Sequence, residues 1–179
     1  LGLRLDLDRE TRIDLETRLT IDTQRPGSTE LGATAIGNPA TYAYGGSAGI
    51  SHDINRLQLS LRGSVDRNTY EDGKTSTGGT IIQSDRNQTQ YSGRLRVGYE
   101  LTPGIRPFVE STVDTRKFDD AVDTSGYRRS SDGYSARVGS VFELTRQLTG
   151  EISGGYQQRK YDDPRLRDAG EQVALPPRE

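Results

Sequence analysis

From Arg12 to Asp22 the chain alternates without a break, with Ile13, Leu15, Thr17, Leu19 and Ile21 on one parity and Arg12, Asp14, Glu16, Arg18, Thr20 and Asp22 on the other. The same alternation returns along the whole chain. It places Leu1, Leu3, Leu5 and Leu7 opposite Arg4, Asp6 and Asp8; Tyr42, Tyr44, Ala48 and Ile50 opposite Ala43, Gly45, Ser47 and Gly49; and Leu57, Leu59, Leu61 and Val65 opposite Gln58, Ser60, Arg62, Ser64 and Asp66. Further on, Tyr91, Leu95, Val97 and Tyr99 stand against Ser92, Arg94, Arg96 and Glu100, and Ile105, Val109 and Val113 against Arg106, Glu110, Asp114 and Arg116. The last two segments set Tyr134, Ala136, Val138, Phe142 and Leu144 against Ser135, Arg137 and Glu143, then Leu148, Ile152 and Tyr156 against Thr149, Glu151, Gln157 and Arg159. Phe108 and Val141 break the rule, as apolar residues on the polar parity. Strand side chains repeat every two residues, so the pattern predicts eight strands, each with one apolar and one polar face.

The connectors alternate too. Asp8–Thr11, His52–Asn55, Leu101–Gly104 and Leu144–Gln147 are short and turn-like. Long polar loops lie between them, around Thr23–Thr41, Glu71–Asn87, Asp119–Asp132 and from Asp162 onward. Short turns at one end and long loops at the other predict an up-and-down meander of four hairpins spanning residues 1–179 as one domain or a contiguous portion of one. The alternating runs are about 10–14 residues long, close to the roughly 9–11 that cross a bilayer at a tilt and longer than the common 5–6 of soluble strands. A tight turn at Leu101–Gly104 sets Arg96 opposite Glu110 and Glu100 opposite Arg106. By the same rule the first hairpin sets Asp8 opposite Arg12, Arg4 opposite Glu16 and Asp6 opposite Asp14, a like pair that neighbouring arginines, a register slip or water must moderate.

A strand with an unbroken apolar face and a heavily charged one suits a transmembrane barrel, where apolar side chains meet lipid and charged ones a wet lumen. The predicted fold is therefore all-β, an up-and-down antiparallel transmembrane β-barrel with eight strands visible. A portion of a larger barrel is favoured over a closed eight-stranded one. The lipid-facing set is Leu15, Leu19, Leu59, Leu61, Leu95, Val97, Val109, Val138 and Ile152; the lumen-lining set is Arg18, Arg62, Arg94, Arg96, Arg106, Glu110, Asp114, Arg137, Glu151 and Arg159. Tyr42, Tyr44, Tyr91 and Tyr134 near the long loops, with Tyr99 and Phe142 near the short turns, fit two interfacial aromatic girdles. A soluble sandwich or lipocalin-like barrel is the competing reading. Its core demands larger side chains than Thr17, Gly63, Ser111, Ser140 and Gly150, which occupy the apolar parity here.

Composition sharpens this picture. Only 30% of the residues are hydrophobic and 28% are charged, which leads to disorder unless the apolar residues are strictly arranged, as they are. A net charge of −2 gives no argument for nucleic acid, and the absence of cysteine removes disulfide and thiolate chemistry. No apolar run is long enough for a transmembrane helix. No catalytic set, metal site or cofactor is read from the chain. The single histidine, His52, falls in a predicted turn between Ser51 and Asp53, and adjacency alone does not make a triad. Glu71, Asp72, Asp119 and Asp120 read as solvated loop charge before Ca²⁺ ligands.

The unit from Tyr91 to Asp119, with Gly-Tyr-Glu-Leu before a Thr-Pro-Gly turn and Arg-Pro-Phe-Val-Glu after it, resembles the repeating hairpin of the outer-membrane β-barrel porins of Gram-negative bacteria. The units from Ser51 and from Phe142 resemble further copies, each strand ending in Tyr70, Phe118 or Tyr161 beside acidic residues. That group includes proteins associated with exopolysaccharide loci. The resemblance implies the outer membrane as location, with lipid and lipopolysaccharide as surroundings and envelope proteins as partners. Two functions are expected of a barrel with this charged lumen: a polar channel or export conduit for small hydrophilic solutes or polysaccharide, or a non-conducting structural or surface-interaction barrel with a charge-packed lumen.

Overall fold

A computed structural model describes residues 1–24, 35–124, 126–145 and 148–163. The strands in chain order are β1 (Gly2–Asp6), β2 (Thr11–Thr23), β3 (Ala35–Ile36), β4 (Ala40–Ile54), β5 (Leu57–Tyr70), β6 (Gly73–Thr75), β7 (Thr80–Ile81), β8 (Gln88–Tyr99), β9 (Ile105–Phe118), β10 (Ser131–Thr145) and β11 (Leu148–Tyr161). Eight of them form one antiparallel sheet in the order β1-β2-β4-β5-β8-β9-β10-β11, so sequence neighbours are spatial neighbours throughout. The meander of four hairpins is the predicted one. β1 and β11 are its two edges and do not pair with each other, so the sheet is open rather than a closed eight-stranded barrel.

The ladders align like parities. Leu59 pairs with Val97, Val97 with Val109 and Val109 with Val138, while on the other face Arg96 pairs with Glu110 and Glu110 with Arg137. Among the described residues no second layer packs on either face, yet the two differ: Phe108 and Glu110 are 4% and 7% exposed, whereas Val109 between them is 55% exposed. The polar face is therefore concave and crowded, and the apolar face convex and open. A flat sheet spaces strands by about 4.8 Å, so β8 and β11 would lie about 14 Å apart. Arg96 on β8 nevertheless reaches Glu151 on β11 at 2.9 Å, which requires the sheet to curl toward its polar side.

The short turns follow from local chemistry. The third hairpin has the expected register: Leu101 donates to Ile105 at 3.1 Å, and Gly104 closes the turn at φ 87°, a left-handed conformation suited to glycine. Asn55, at φ 53°, turns the second hairpin together with Arg56, so His52 lies within β4 and not in a turn. The first hairpin departs from expectation by two residues. Arg4 faces Asp14 and Asp6 faces Arg12, which replaces the anticipated Asp6–Asp14 repulsion by two opposite-charge pairs. Asp8 sets this register by accepting from the N–H groups of Glu10 and Thr11 at 2.8 and 2.6 Å. Those bonds, led by Glu10, hold the Asp8 carboxyl below its ordinary pKa. In the fourth turn Thr145 pairs with Leu148 and the predicted Arg146 and Gln147 lie outside the described residues.

The described parts of the long loops carry structure of their own. β3, β6 and β7 form a small second sheet across two of them, followed by a 3₁₀ turn at Ser84–Arg86. The acids read as solvated are mostly engaged: Glu71 accepts from Ala40 N–H and the Tyr42 hydroxyl, and Asp72 from the N–H groups of Gln83 and Ser84 at 2.8 and 2.9 Å. Asp119 takes the fork of Arg67 at 2.7 and 2.5 Å, while Asp120 is exposed. Asp85 accepts from Thr124 N–H and hydroxyl, tying two loops together. The first part of the loop before Ala35, and most of the segment after Asp162, lie outside the described residues.

These bonds are expected to make the long-loop end of the sheet acid-sensitive. The Gln83 and Ser84 N–H groups push the Asp72 carboxyl down, and the Arg67 hydrogen bond does the same for Asp119. A depressed folded-state pKa contributes stability that is present above the ordinary carboxylate value and is lost as pH falls below about 4. Amide protection at Gln83 and Ser84 is expected to collapse in that window, and Asp72→Asn, which keeps the acceptor without the charge, to abolish the pH dependence. Protection unchanged between pH 6 and 3 in the native protein would refute this.

Candidate functional site: the concave polar face

Every residue of the expected lumen set lies on the concave parity, and they sort into two groups. The first is held in ion pairs that arch over a glycine. Arg18 on β2 reaches Asp66 on β5 at 2.5 Å across Gly45 of the intervening strand. Arg159 on β11 reaches Asp114 on β9 at 2.5 Å across Gly133. A β-carbon at either glycine would meet the acid's Oδ1 at 2.5 Å or less, so these positions need an empty place and not merely a flexible backbone.

The densest part is a knot around Phe108. The Arg137 guanidinium donates from Nε and Nη2 to the two oxygens of Glu110 at 3.1 and 3.2 Å, while Arg96 Nη1 stands 3.6 Å and Arg94 Nε 3.9 Å from the same carboxylate. Glu151 adds contacts to Arg96 at 2.9 Å and Arg137 at 3.5 Å. Arg96 lies 3.6 Å over the Phe108 ring and Arg137 at 5.6 Å, so the ring that broke the sequence pattern serves as a cation–π platform. Its edge fills the space above Gly139, where a β-carbon would lie 2.8 Å from Cζ. Four strands are thereby joined through side chains as well as through their ladders.

The second group has no tight partner. Arg62 faces Arg94 directly on the adjacent strand, and among the described residues Arg62 makes no ion pair within 4.0 Å. Arg106 lies along Gly98 and shares a cleft with Glu100 without joining it in an ion pair. Ser64 and Ser92 hydroxyls meet at 2.8 Å beside the Arg62–Arg94 pair.

On the convex face the expected lipid-facing residues share one surface. Leu15, Leu19, Leu61, Leu95, Val109, Val138 and Ile152 are exposed, the last two at 60% and 73%; Leu59 and Val97, paired with each other, are half-buried. Tyr44, Tyr91, Tyr99 and Tyr134 are exposed on the same face, with the Tyr134 hydroxyl donating to Gln158, whereas Tyr42 and Phe142 are half-buried. His52 meets the Thr11 hydroxyl at 2.9 Å, and Thr11 donates to Asp8 at 3.1 Å; this ties the first short turn to the end of β4.

What sequence reasoning missed is Phe108 as the centre of the knot and the glycines as crossing points. The only signals were the parity break and the recurrence of glycine on the polar parity.

An open antiparallel meander of eight strands, with a charged concave face and an apolar convex one, is the fold that a β-barrel family leads one to expect. The chain belongs to the family described as Putative beta-barrel porin 2, whose match covers residues 1–172. A porin-like channel role is the activity this family points to. Comparisons with curated proteins and with solved structures gave no match.

Proposed function

We propose that this chain forms the wall of an outer-membrane channel of a Gram-negative bacterium, through which small hydrophilic solutes or polysaccharide pass. The observation that carries the reading is the segregation of faces: charge and hydroxyls on the concave side, and a belt of Leu, Val, Ile and Tyr on the convex side, over which none of the described residues packs. Exposed apolar surface on this scale matches lipid rather than water. The open β1 and β11 edges would be satisfied by further strands, from the same polypeptide or others, because an unpaired edge is not tolerated in hydrocarbon. A barrel so widened leaves an aqueous lumen that side chains from one wall do not fill.

In this arrangement the long loops carrying Gly73–Thr75, Ser84–Arg86 and Asp123 face outside, toward lipopolysaccharide or envelope partners, and the short turns face the periplasm. Single-channel recording of the full-length protein in a planar bilayer tests the reading. Stepwise openings are expected; a folded protein that never conducts would overturn it.

The knot around Phe108 favours a second reading, a non-conducting barrel whose interior is closed by interlocked side chains. It would be supported if Glu110→Ala with Phe108→Ala opened a pore in a protein that is otherwise electrically silent.

A further inference from the structure

The polar face divides its charges unevenly, and the uneven part has the form of a binding site. Asp66 is taken by Arg18, Asp114 by Arg159, and Glu110 and Glu151 by Arg96 and Arg137. Arg62 and Arg94 are left side by side on adjacent strands, both exposed, with Arg94 no nearer than 3.9 Å to a carboxylate already forked by Arg137. Like charges directly opposite on a ladder destabilise it, so two guanidiniums in this position lack the compensation found elsewhere on the face.

Around them the side chains are short. Ser64 and Ser92 follow on the same two strands, and Gly49 flanks Arg62 on the other side, with Arg62 Nε 3.4 Å from where its β-carbon would stand. Beyond Gly49 a cleft of about 440 Å³ opens toward β1; Arg62, Arg4, Asp14, Glu16 and Ser47 form its polar part and Leu1, Gly2, Leu3 and Leu15 the rest. Asp14 occupies the place relative to Gly49 that Arg18 occupies relative to Gly45, but here the arch is not closed by an ion pair.

We propose that Arg62 and Arg94 form a recognition site for an oxyanion on a polyhydroxylated solute. This inference rests on the channel reading and names the class of solute that the wall selects. Guanidinium forks match carboxylate and phosphate oxygens two by two. The Ser47, Ser64 and Ser92 hydroxyls and the Asp14 and Glu16 carboxylates, at neighbouring register positions of the same face, supply donors and acceptors for sugar hydroxyls. A neutral sugar gains only the second set of contacts, and a simple salt anion only the first. An acidic sugar uses both. The bolted arginines contribute little to this attraction, because their charge is already neutralised at contact distance.

The test uses the full-length protein in planar bilayers, with trigalacturonate, a neutral galactose trimer and inorganic phosphate added in turn. Trigalacturonate is expected to interrupt the current at concentrations at least tenfold below the neutral trimer. Arg62→Gln with Arg94→Gln should erase that difference while openings persist. Phosphate blocking at the same concentrations as trigalacturonate would overturn the sugar part of the proposal, leaving the arginine pair as a site for free anions. Equal block by acidic and neutral trimers, or block unchanged in the double variant, would overturn the proposal. If the native protein does not conduct, the channel reading fails separately, and calorimetric titration of the detergent-solubilised protein decides the site. Trigalacturonate binding lost in the double variant supports it, and no binding to the native protein refutes it.

Discussion

Val138→Arg is expected to destabilise the protein in a bilayer by about 2–4 kcal/mol, the cost of a guanidinium on the lipid face near the midplane. Val138 lies midway along β10 and is 60% exposed on the convex face, paired with Val109 on one side and Gly154 on the other. Gly154 offers no side chain to shield a charge, and the apolar neighbours offer no counter-ion. The adjacent residue points the other way. Arg137→Leu removes a partner of Glu110 and Glu151 but places an apolar group toward the concave side, so it should spare membrane insertion. Leu19→Arg and Arg18→Leu repeat the contrast on β2, where Leu19 is exposed and Arg18 is bound to Asp66. Urea unfolding from lipid vesicles measures the cost. A membrane-confined quencher read against single labels from Arg137 to Ser140 gives the geometry: Val138 and Ser140 should be quenched, Arg137 and Gly139 spared. Equal quenching at all four would contradict a lipid-facing convex surface.

The parity of these faces was legible in the sequence because the strand repeat is local and because almost no strand violates it. The register of the third hairpin was legible for a related reason: Thr-Pro-Gly leaves few ways to turn, and Gly104 takes the left-handed conformation that closes it. The first hairpin was harder. Its turn is set by Asp8 accepting two backbone N–H groups, and that choice competes with a register two residues away that shows the same apolar alternation. Charge acts in the same direction as the Asp8 turn, since the observed register sets Asp6 against Arg12 instead of Asp14.

The concave face was only half legible. Residue types and parity indicated which side chains share it, but the ion pairs skip strands. Arg18 to Asp66 and Arg159 to Asp114 depend on an intervening glycine that no rule of adjacent pairs would select. Arg96 to Glu151 depends on curvature accumulated over three ladders, a property of the whole sheet. The loops were least legible. Asp72, Asp85 and Asp119 look like solvated acids in composition, and their partners are backbone groups or residues on other loops and strands.

Glu110→Ala is expected to destabilise the folded state by more than any other single charge removal on the concave face. Glu110 is 7% exposed and accepts the Arg137 fork, with Arg96 and Arg94 within 3.9 Å. Removing it leaves the three guanidiniums that faced it, two of them over Phe108, with Glu151 as the neighbouring acid. Breaking a fully buried pair costs about 3–5 kcal/mol. The Arg96 and Arg137 side chains are 28% and 40% exposed, so solvent screening reduces the expected loss to about 2–3 kcal/mol. Glu110→Gln should cost less, because the amide oxygen still accepts from one guanidinium. Urea midpoints of the full-length protein in micelles would rank the two. A double-mutant cycle with Arg137→Ala separates the pair from its surroundings: a coupling of about 1 kcal/mol or more is expected for residues in direct contact. Additive losses would mean that the Glu110–Arg137 bond does not stabilise the sheet and that the knot is held by Phe108 packing and Glu151 alone.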